Sequence, residues 1–535
     1  MERWLQPRVG FGLVAALYLL SFPYHPKLRS PNELCRLFQS RSLIDFGTIN
    51  ILEELKLHGS VGDLSCTATV RDEKGERLLP CVGPDAPPRQ NVVAVAYYPS
   101  KAPLLSYLGA PVYWVLKTIS GDVTEVSQVF WSRLFITLIP SLLMLVLLRK
   151  FLAAYVEQTT ADLFTVVYAL GTIAFSNAEL FMSHQLTAVL LFSAFYGAWK
   201  VERGDWAVRG YALVGVAAGA AVVCEYTAAL GVICIASYTV AARWKKWPEL
   251  VKAAGLVIAG SAPLLAFVCW YHQAAFGSPF ASGYKFLNDA QYMHWHQGGF
   301  LGIKLPYLEA FLHSFFSPLR GLFAISPILA VAFFGLRSVK EKDRALFVLL
   351  ITFLITHTYF TSSFDHTSWG WTVGPRHLTG LIPFMFLPIA LAWERLRTQV
   401  MPFALIGGLA LSSLAASLLA TGVNYIPADV STSIFGLVIP LYADGFMPIS
   451  WLAAWVSNPA SGALLLLLSA AVVVWAGARL WQAKTQLVVA LLVVVAHFGV
   501  LKLATRYDSG DTSAVNFLKS VWLVPNGAHI DFRAP

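Results

Sequence analysis

The feature that most constrains this chain is a succession of about thirteen apolar stretches, each roughly 17 to 25 residues, the length an α-helix needs to cross bilayer hydrocarbon. They lie near 5–22, 128–148, 161–177, 184–200, 207–223, 226–242, 250–271, 321–337, 345–361, 378–394, 402–422, 460–478 and 485–503. Each is expected to be helical, because a lipid-exposed backbone outside a closed barrel can satisfy its amides in no other way. The expected fold class is therefore an all-α polytopic membrane protein.

Charge supports this reading. Only 13% of the 535 residues are charged, against roughly 25% in soluble domains, and 57% are hydrophobic, with a mean hydropathy of +0.61. The net charge of +9 does not point to nucleic acid, because the basic residues sit in short clusters between apolar stretches rather than on one soluble face. Arg149 with Lys150, Lys200 with Arg203, Arg243 with Lys245 and Lys246, Arg337 with Lys340 and Lys342, Arg395 with Arg397, and Arg479 with Lys484 occupy every second connection. The positive-inside rule then places these and the amino terminus, with Arg3 and Arg8, in the cytoplasm, and the carboxy terminus outside.

The chain divides accordingly into a first transmembrane helix (1–22), an extracytoplasmic loop (23–125), helices two to seven (126–271), a second outer loop (272–320), helices eight to thirteen (321–503) and an outer tail (504–535). The cytoplasmic connections are too short for a nucleotide-binding domain, and no glycine-rich phosphate loop opens a helix, so an ATP-driven pump is not expected. Cys224, Cys234 and Cys269 lie within spans as small packing residues, whereas Cys66 and Cys81 fall in the polar middle of the first outer loop. An oxidising compartment would let these two form a disulfide; two unrelated thiols is the alternative.

Three segments concentrate chemistry. Directly after the first span comes Ser30-Pro31-Asn32-Glu33-Leu34-Cys35-Arg36-Leu37-Phe38, followed by Asp45. Ser30 and Pro31 suit a helix start, and Leu34, Leu37 and Phe38 form one apolar face, which predicts an interfacial helix holding Glu33 in its first turn. At the end of the same loop stands Tyr97-Tyr98-Pro99-Ser100-Lys101-Ala102-Pro103, leading into a second predicted interfacial helix. Far downstream is Asp365-His366-Thr367-Ser368-Trp369-Gly370-Trp371-Thr372-Val373-Gly374-Pro375-Arg376-His377.

This order, an acidic residue after the first span, an aromatic-x-x-Lys-x-Pro segment and a Trp-Gly-x-x-x-Gly-Pro-Arg segment, resembles the multispanning glycosyltransferases of the C fold. Within that GT-C-like fold it is most similar to the protein O-mannosyltransferase superfamily, which includes the bacterial lipid A aminoarabinose transferase. The resemblance implies a polyprenyl phosphate-linked sugar as donor, a site on the extracytoplasmic face and, for a bacterial chain, the inner membrane. It implies that Glu33 is the catalytic base and that Lys101 contacts the carrier phosphate; Asn32-Glu33 departs from the family's usual aspartate or Asp-Glu pair, and His377 stands where an aromatic is commoner.

Transfer from such a donor needs a deprotonated acceptor hydroxyl, an oxocarbenium-like centre and a stabilised phosphate leaving group. A carboxylate and two cations suffice, with Lys101 as a point charge and Arg376 as a planar fork. No cofactor is then required, and a divalent metal stays an open question. Asp45, Tyr98, Glu179, His184, Glu225, Trp369 and Trp371 are candidate substrate contacts. Each has a plainer role: Glu33 at a helix dipole, Lys101 as a snorkelling residue, His184 in packing, and the tryptophans as interfacial anchors. His294, Trp295 and His296 do not define a metal site. The alternative function is a transporter or flippase of a lipid-linked saccharide, for which ionisable groups near mid-span would be expected. Membrane lipids are expected partners; the acceptor is not encoded in any of these motifs.

Overall fold

The structure is a computed structural model that describes residues 6–25, 30–72, 75–297, 302–364, 370–480 and 484–522. The chain is an all-α polytopic membrane protein. Among the described residues, Glu125–Leu152, Trp247–Phe276, Arg344–Ser362, Val400–Val423, Asn458–Leu480 and Thr485–Leu503 are long and apolar enough to cross a membrane. Pro7–Leu20, Gly210–Cys224, Ala228–Arg243 and Ile434–Ala443 are shorter apolar helices. The last of these lies between two of the expected spans, 402–422 and 460–478.

Two expected continuous spans are broken, each by an identifiable residue. Near 161–177 the helix Gln158–Leu170 ends at Gly171, and Thr172 caps a new short helix, Ile173–Ala178, by accepting from Ala174 N–H at 3.2 Å. Near 321–337, Pro327 disfavours helical backbone at Ser326, which sits at φ −132° and ψ 64°, so Leu322–Ile325 stops and Ala332–Lys342 begins after a 3-10 turn.

Ser183–Glu202 and Ile382–Leu396 are buried on nearly every side and form the centre of the bundle, where Phe192, Phe195 and Phe384 meet at ring distances of 5.3–5.8 Å. Trp247–Phe276 instead exposes Val251, Ile258, Leu265 and Trp270, as a helix facing lipid does without penalty.

The loop between the first span and Glu125–Leu152 departs most from expectation. The helix Pro31–Asp45 does not lie along a surface with a polar face outward. It is buried continuously from Asn32 to Ser42. Three of its polar residues are held by other segments: Gln39 donates to Tyr271 Oη at 2.9 Å, Ser40 to the Ser106 carbonyl at 2.8 Å, and Arg41 to Gln128 at 2.7 Å. The adjoining helix Leu104–Ser120 crosses it closely, and at Gly109 an added Cβ would meet Ser40 Oγ at 2.5 Å. That second helix exposes Leu108, Trp114, Val115 and Ile119.

Between these helices lies a three-stranded antiparallel sheet that the sequence reading did not anticipate. β1 (Leu64–Asp72) is central between β2 (Gly75–Pro80) and β3 (Val92–Pro99). Cys66 in β1 and Cys81, just after β2, form a disulfide with Cα atoms 5.5 Å apart and a sequence separation of 15. Closing a loop of that size is worth about 3 kcal/mol. Replacing both cysteines by serine is therefore expected to lower the thermal stability of the purified protein, and an unchanged melting temperature would refute a stabilising role.

Candidate functional site

Strand pairing builds the first half of the site. The β1–β3 register sets Leu64 opposite Pro99, so the residues just beyond the pair also meet, and Ser100 N–H donates to the Asp63 carbonyl at 2.9 Å. Asp63 adopts φ 57°, in the left-handed region that aspartate enters more readily than most residues. Its carboxylate thereby reaches Lys101 Nζ at 3.2 Å and accepts from Asn32 Nδ2 at 2.7 Å. Burial alone would push both groups towards neutrality. Their mutual charge outweighs it, so Asp63 is held below the usual carboxylate value and Lys101 above the usual ammonium value.

These residues face a cavity of about 370 Å³. Arg36 enters it from the helix Pro31–Asp45, its Nη1 donating to the Asn32 carbonyl at 2.6 Å and to Asn32 Oδ1 at 3.3 Å. Arg376, from a distant segment, lines the same cavity. Its guanidinium lies against Gly370, where φ is 75° and an added Cβ would come within 2.8 Å of Nη1, so glycine there serves both the turn and the arginine. Lys101, Arg36 and Arg376 thus line one cavity, and the Nε donors of both arginines are buried without a hydrogen-bond partner. Tyr284, Tyr292, Phe364 and Trp371 line it too, and Lys101 Nζ stands 5.3 Å from the Tyr284 ring centroid.

A second cluster lines the same cavity. His184 opens the helix Ser183–Glu202, Glu225 follows Gly210–Cys224, and His377 follows Arg376. His184 Nδ1 lies 3.1 and 3.0 Å from the two Glu225 oxygens, and His377 Nδ1 lies 3.4 Å from Oε1. Burial lowers the His377 imidazole to about 4, against the opposing effect of its hydrogen bond to Glu225, so the ring is neutral at neutral pH.

Of the candidates named from sequence, Lys101, Arg376, His184, Glu225 and Trp371 line the cavity together. Glu33 does not. Its Oε1 accepts from Arg133 Nε at 2.9 Å and Phe181 N–H at 2.6 Å, and its Oε2 from Arg133 Nη2 at 2.8 Å and Tyr425 Oη at 3.0 Å. A carboxylate offers about four lone-pair positions, so none remains for an acceptor hydroxyl. Burial would raise its pKa, but Arg133 and these bonds hold it below the ordinary carboxylate value. Tyr425 lines the cavity, which leaves Glu33 one hydrogen bond behind the wall.

Asp45 is also elsewhere, bonded to Tyr113 Oη at 2.7 Å and Lys117 Nζ at 2.6 Å. Tyr98 packs edge-on to Phe276 in a satellite core, and Glu179 is fully buried outside the cavity lining. Trp369 and Asp365 lie outside the described residues. Sequence reasoning missed Asp63 and Arg36. Arg36 stands one helical turn from Glu33, the one signal that could have found it; Asp63 had none without the strand register.

No family model matches the sequence, and no curated protein matches it. Among solved structures, the chain is similar to ArnT from Cupriavidus metallidurans in the apo state, at 16% identity over 92% of this chain and 76% of that one, with a TM-score of 0.47. It is likewise similar to ArnT from Cupriavidus metallidurans bound to undecaprenyl phosphate, at 15% identity over the same shares, with a TM-score of 0.45. An oligosaccharyltransferase from Archaeoglobus fulgidus in the apo form matches at 10% identity over 78% of this chain and 54% of that one, with a TM-score of 0.39.

Proposed function

We propose that this chain is a membrane glycosyltransferase that moves a sugar from a polyprenyl phosphate carrier to an acceptor hydroxyl at the extracytoplasmic face of a bacterial inner membrane. The observation that supports this reading best is the convergence of Arg36, Lys101 and Arg376 on one cavity, with two buried guanidinium N–H groups left undonated. A buried donor without a partner costs about 1–3 kcal/mol. An incoming phosphate oxygen removes that cost.

Charge builds on the departing carrier phosphate as the glycosidic bond breaks, and preorganised cations in a partly water-excluded site stabilise it. The two arginines grip oxygens through planar forks, and Lys101 adds a point charge. Tyr284, Tyr292 and Trp371 offer faces for a sugar ring. Asp63 takes the acceptor proton in place of Glu33: it is a cavity-lining carboxylate beside the cations, already ionised. When the donor phosphate draws Lys101 away, Asp63 loses its partner and becomes a stronger base.

The test is transfer, and release of polyprenyl phosphate, by the purified protein given a synthetic polyprenyl phosphate sugar. Arg36→Ala, Lys101→Ala and Arg376→Ala are each expected to lower turnover by roughly 10² to 10³. Arg376→Lys should restore only part, since a point charge lacks bidentate geometry. Turnover within a few-fold of the unaltered protein would overturn the clamp. A flippase would instead move intact donor between leaflets of a vesicle without cleaving it.

A further inference from the structure

The cation clamp and Asp63 leave one part of the cavity wall without a task. His184, Glu225 and His377 come from three separate segments, and their nearest ligand atoms all lie within 4.8 Å of one another. We propose that these three side chains form a zinc site, with His184 Nδ1, His377 Nδ1 and one Glu225 oxygen as ligands and a fourth position open to the cavity.

The geometry is close to what the metal demands. Zinc bonds of about 2.0–2.1 Å in a tetrahedron set neighbouring ligand atoms about 3.3 Å apart. Here the His184 Nδ1 to Glu225 Oε1 edge is 3.1 Å and the His377 Nδ1 to Glu225 Oε1 edge is 3.4 Å. The third edge joins the two imidazoles, whose ring centroids are 5.0 Å apart and whose ligand atoms lie within 4.8 Å of each other.

The donor set also selects the ion. Two imidazoles and one carboxylate suit zinc and leave a position for an exchangeable oxygen ligand, whereas magnesium and calcium prefer all-oxygen shells. Support from behind is present as well. Thr227 Oγ1 donates to Glu225 Oε1 at 3.1 Å, and Thr187 Oγ1 to Oε2 at 3.5 Å, fixing the carboxylate as outer hydrogen bonds fix metal ligands. Because all three ligands line the cavity, the open position faces the space that also holds the phosphate clamp. A water or an anionic substrate oxygen would occupy it.

The experiment uses the full-length purified protein with no donor present, so that its outcome is independent of whether the protein transfers sugar. Metal-stripped protein is titrated with zinc chloride, bound zinc is counted by elemental analysis after gel filtration, and the metal's coordination is read by X-ray absorption. One equivalent with two nitrogen ligands from imidazole and a low-coordinate shell is expected. Affinity should fall by roughly 10²-fold or more in His184→Ala, Glu225→Gln and His377→Ala, and stay unchanged in His294→Ala, whose exposed side chain is outside the cavity lining. If a ligand variant does not fold, cobalt substitution of the unaltered protein decides: intense visible bands that shift on adding inorganic phosphate support an open tetrahedral site. No stoichiometric zinc, a six-oxygen shell, or zinc retained in all three variants overturns the proposal. In that case the two histidines serve only to hold Glu225.

Discussion

Asp63→Asn is expected to lower sugar transfer by roughly 10² to 10⁴, the range spanned by loss of a positioned general base. The amide keeps the shape and can still contact Asn32, but it cannot take a proton from the acceptor. Since Asp63 also pairs with Lys101 at 3.2 Å, donor binding must be measured separately. Retained affinity for the polyprenyl phosphate donor with collapsed turnover identifies a base; parallel loss of both identifies a residue that only positions Lys101. Turnover within ten-fold of the unaltered protein would exclude Asp63.

The pH dependence follows from the same pair. Asp63 is held below its ordinary value by Lys101 in the donor-free protein, so it stays ionised across neutral pH and its protonation should not limit kcat/KM there. Once the donor phosphate draws Lys101 away its pKa rises, so the acid limb should lie at higher pH in kcat than in kcat/KM. The stability contributed by the Asp63–Lys101 pair has the same sign: it is present above the unfolded carboxylate pKa and lost as pH falls through the lower folded one. Asp45→Asn serves as a control, because that carboxylate is engaged with Tyr113 and Lys117 away from the cavity.

The second large effect concerns Glu33. Glu33→Gln is expected to destabilise the protein by about 3–5 kcal/mol, the scale of removing one partner from a buried ion pair, because Arg133 is left as an uncompensated charge. Thermal unfolding in detergent measures this directly. Replacing the pair together, Glu33→Gln with Arg133→Met, should recover much of the lost stability, since a buried pair exchanged for less polar groups is often near neutral. A base would behave oppositely. Its variant would be as stable as the unaltered protein yet inactive, and no change at Arg133 would restore it. That result would return Glu33 to the chemistry and displace Asp63.

The different surroundings of these two carboxylates are not visible along the sequence. Glu33 was conspicuous because it follows the first span inside a proline-started segment, and local features of that kind are visible along one dimension. Whether its lone pairs are free depends on Arg133, Phe181 and Tyr425, which lie 100, 148 and 392 residues away. Asp63 was inconspicuous because its partner is supplied by the register of β1 with β3. The strands went unnoticed, although Val92–Pro99 is a run of apolar and aromatic residues, because interfacial helices were expected in the same loop. Helix Pro31–Asp45 misled for a related reason: its Leu34, Leu37 and Phe38 face is real, but Gln39 and Arg41 are buried too, because side chains from distant segments pair with them.

What the sequence determined by itself was everything that the solvent enforces. Apolar runs of spanning length have one way to bury their amides in lipid, so the helical bundle followed from length and hydropathy, whereas the segments at Lys101 and Arg376 stood out through their resemblance to family motifs. The tertiary structure alone decided which charged groups face a shared cavity and which neutralise one another behind its wall. The reason is physical: in a low-dielectric interior a charge is tolerated only beside its counter-charge, and the identity of that neighbour is set by packing between segments hundreds of residues apart rather than by anything adjacent in the chain.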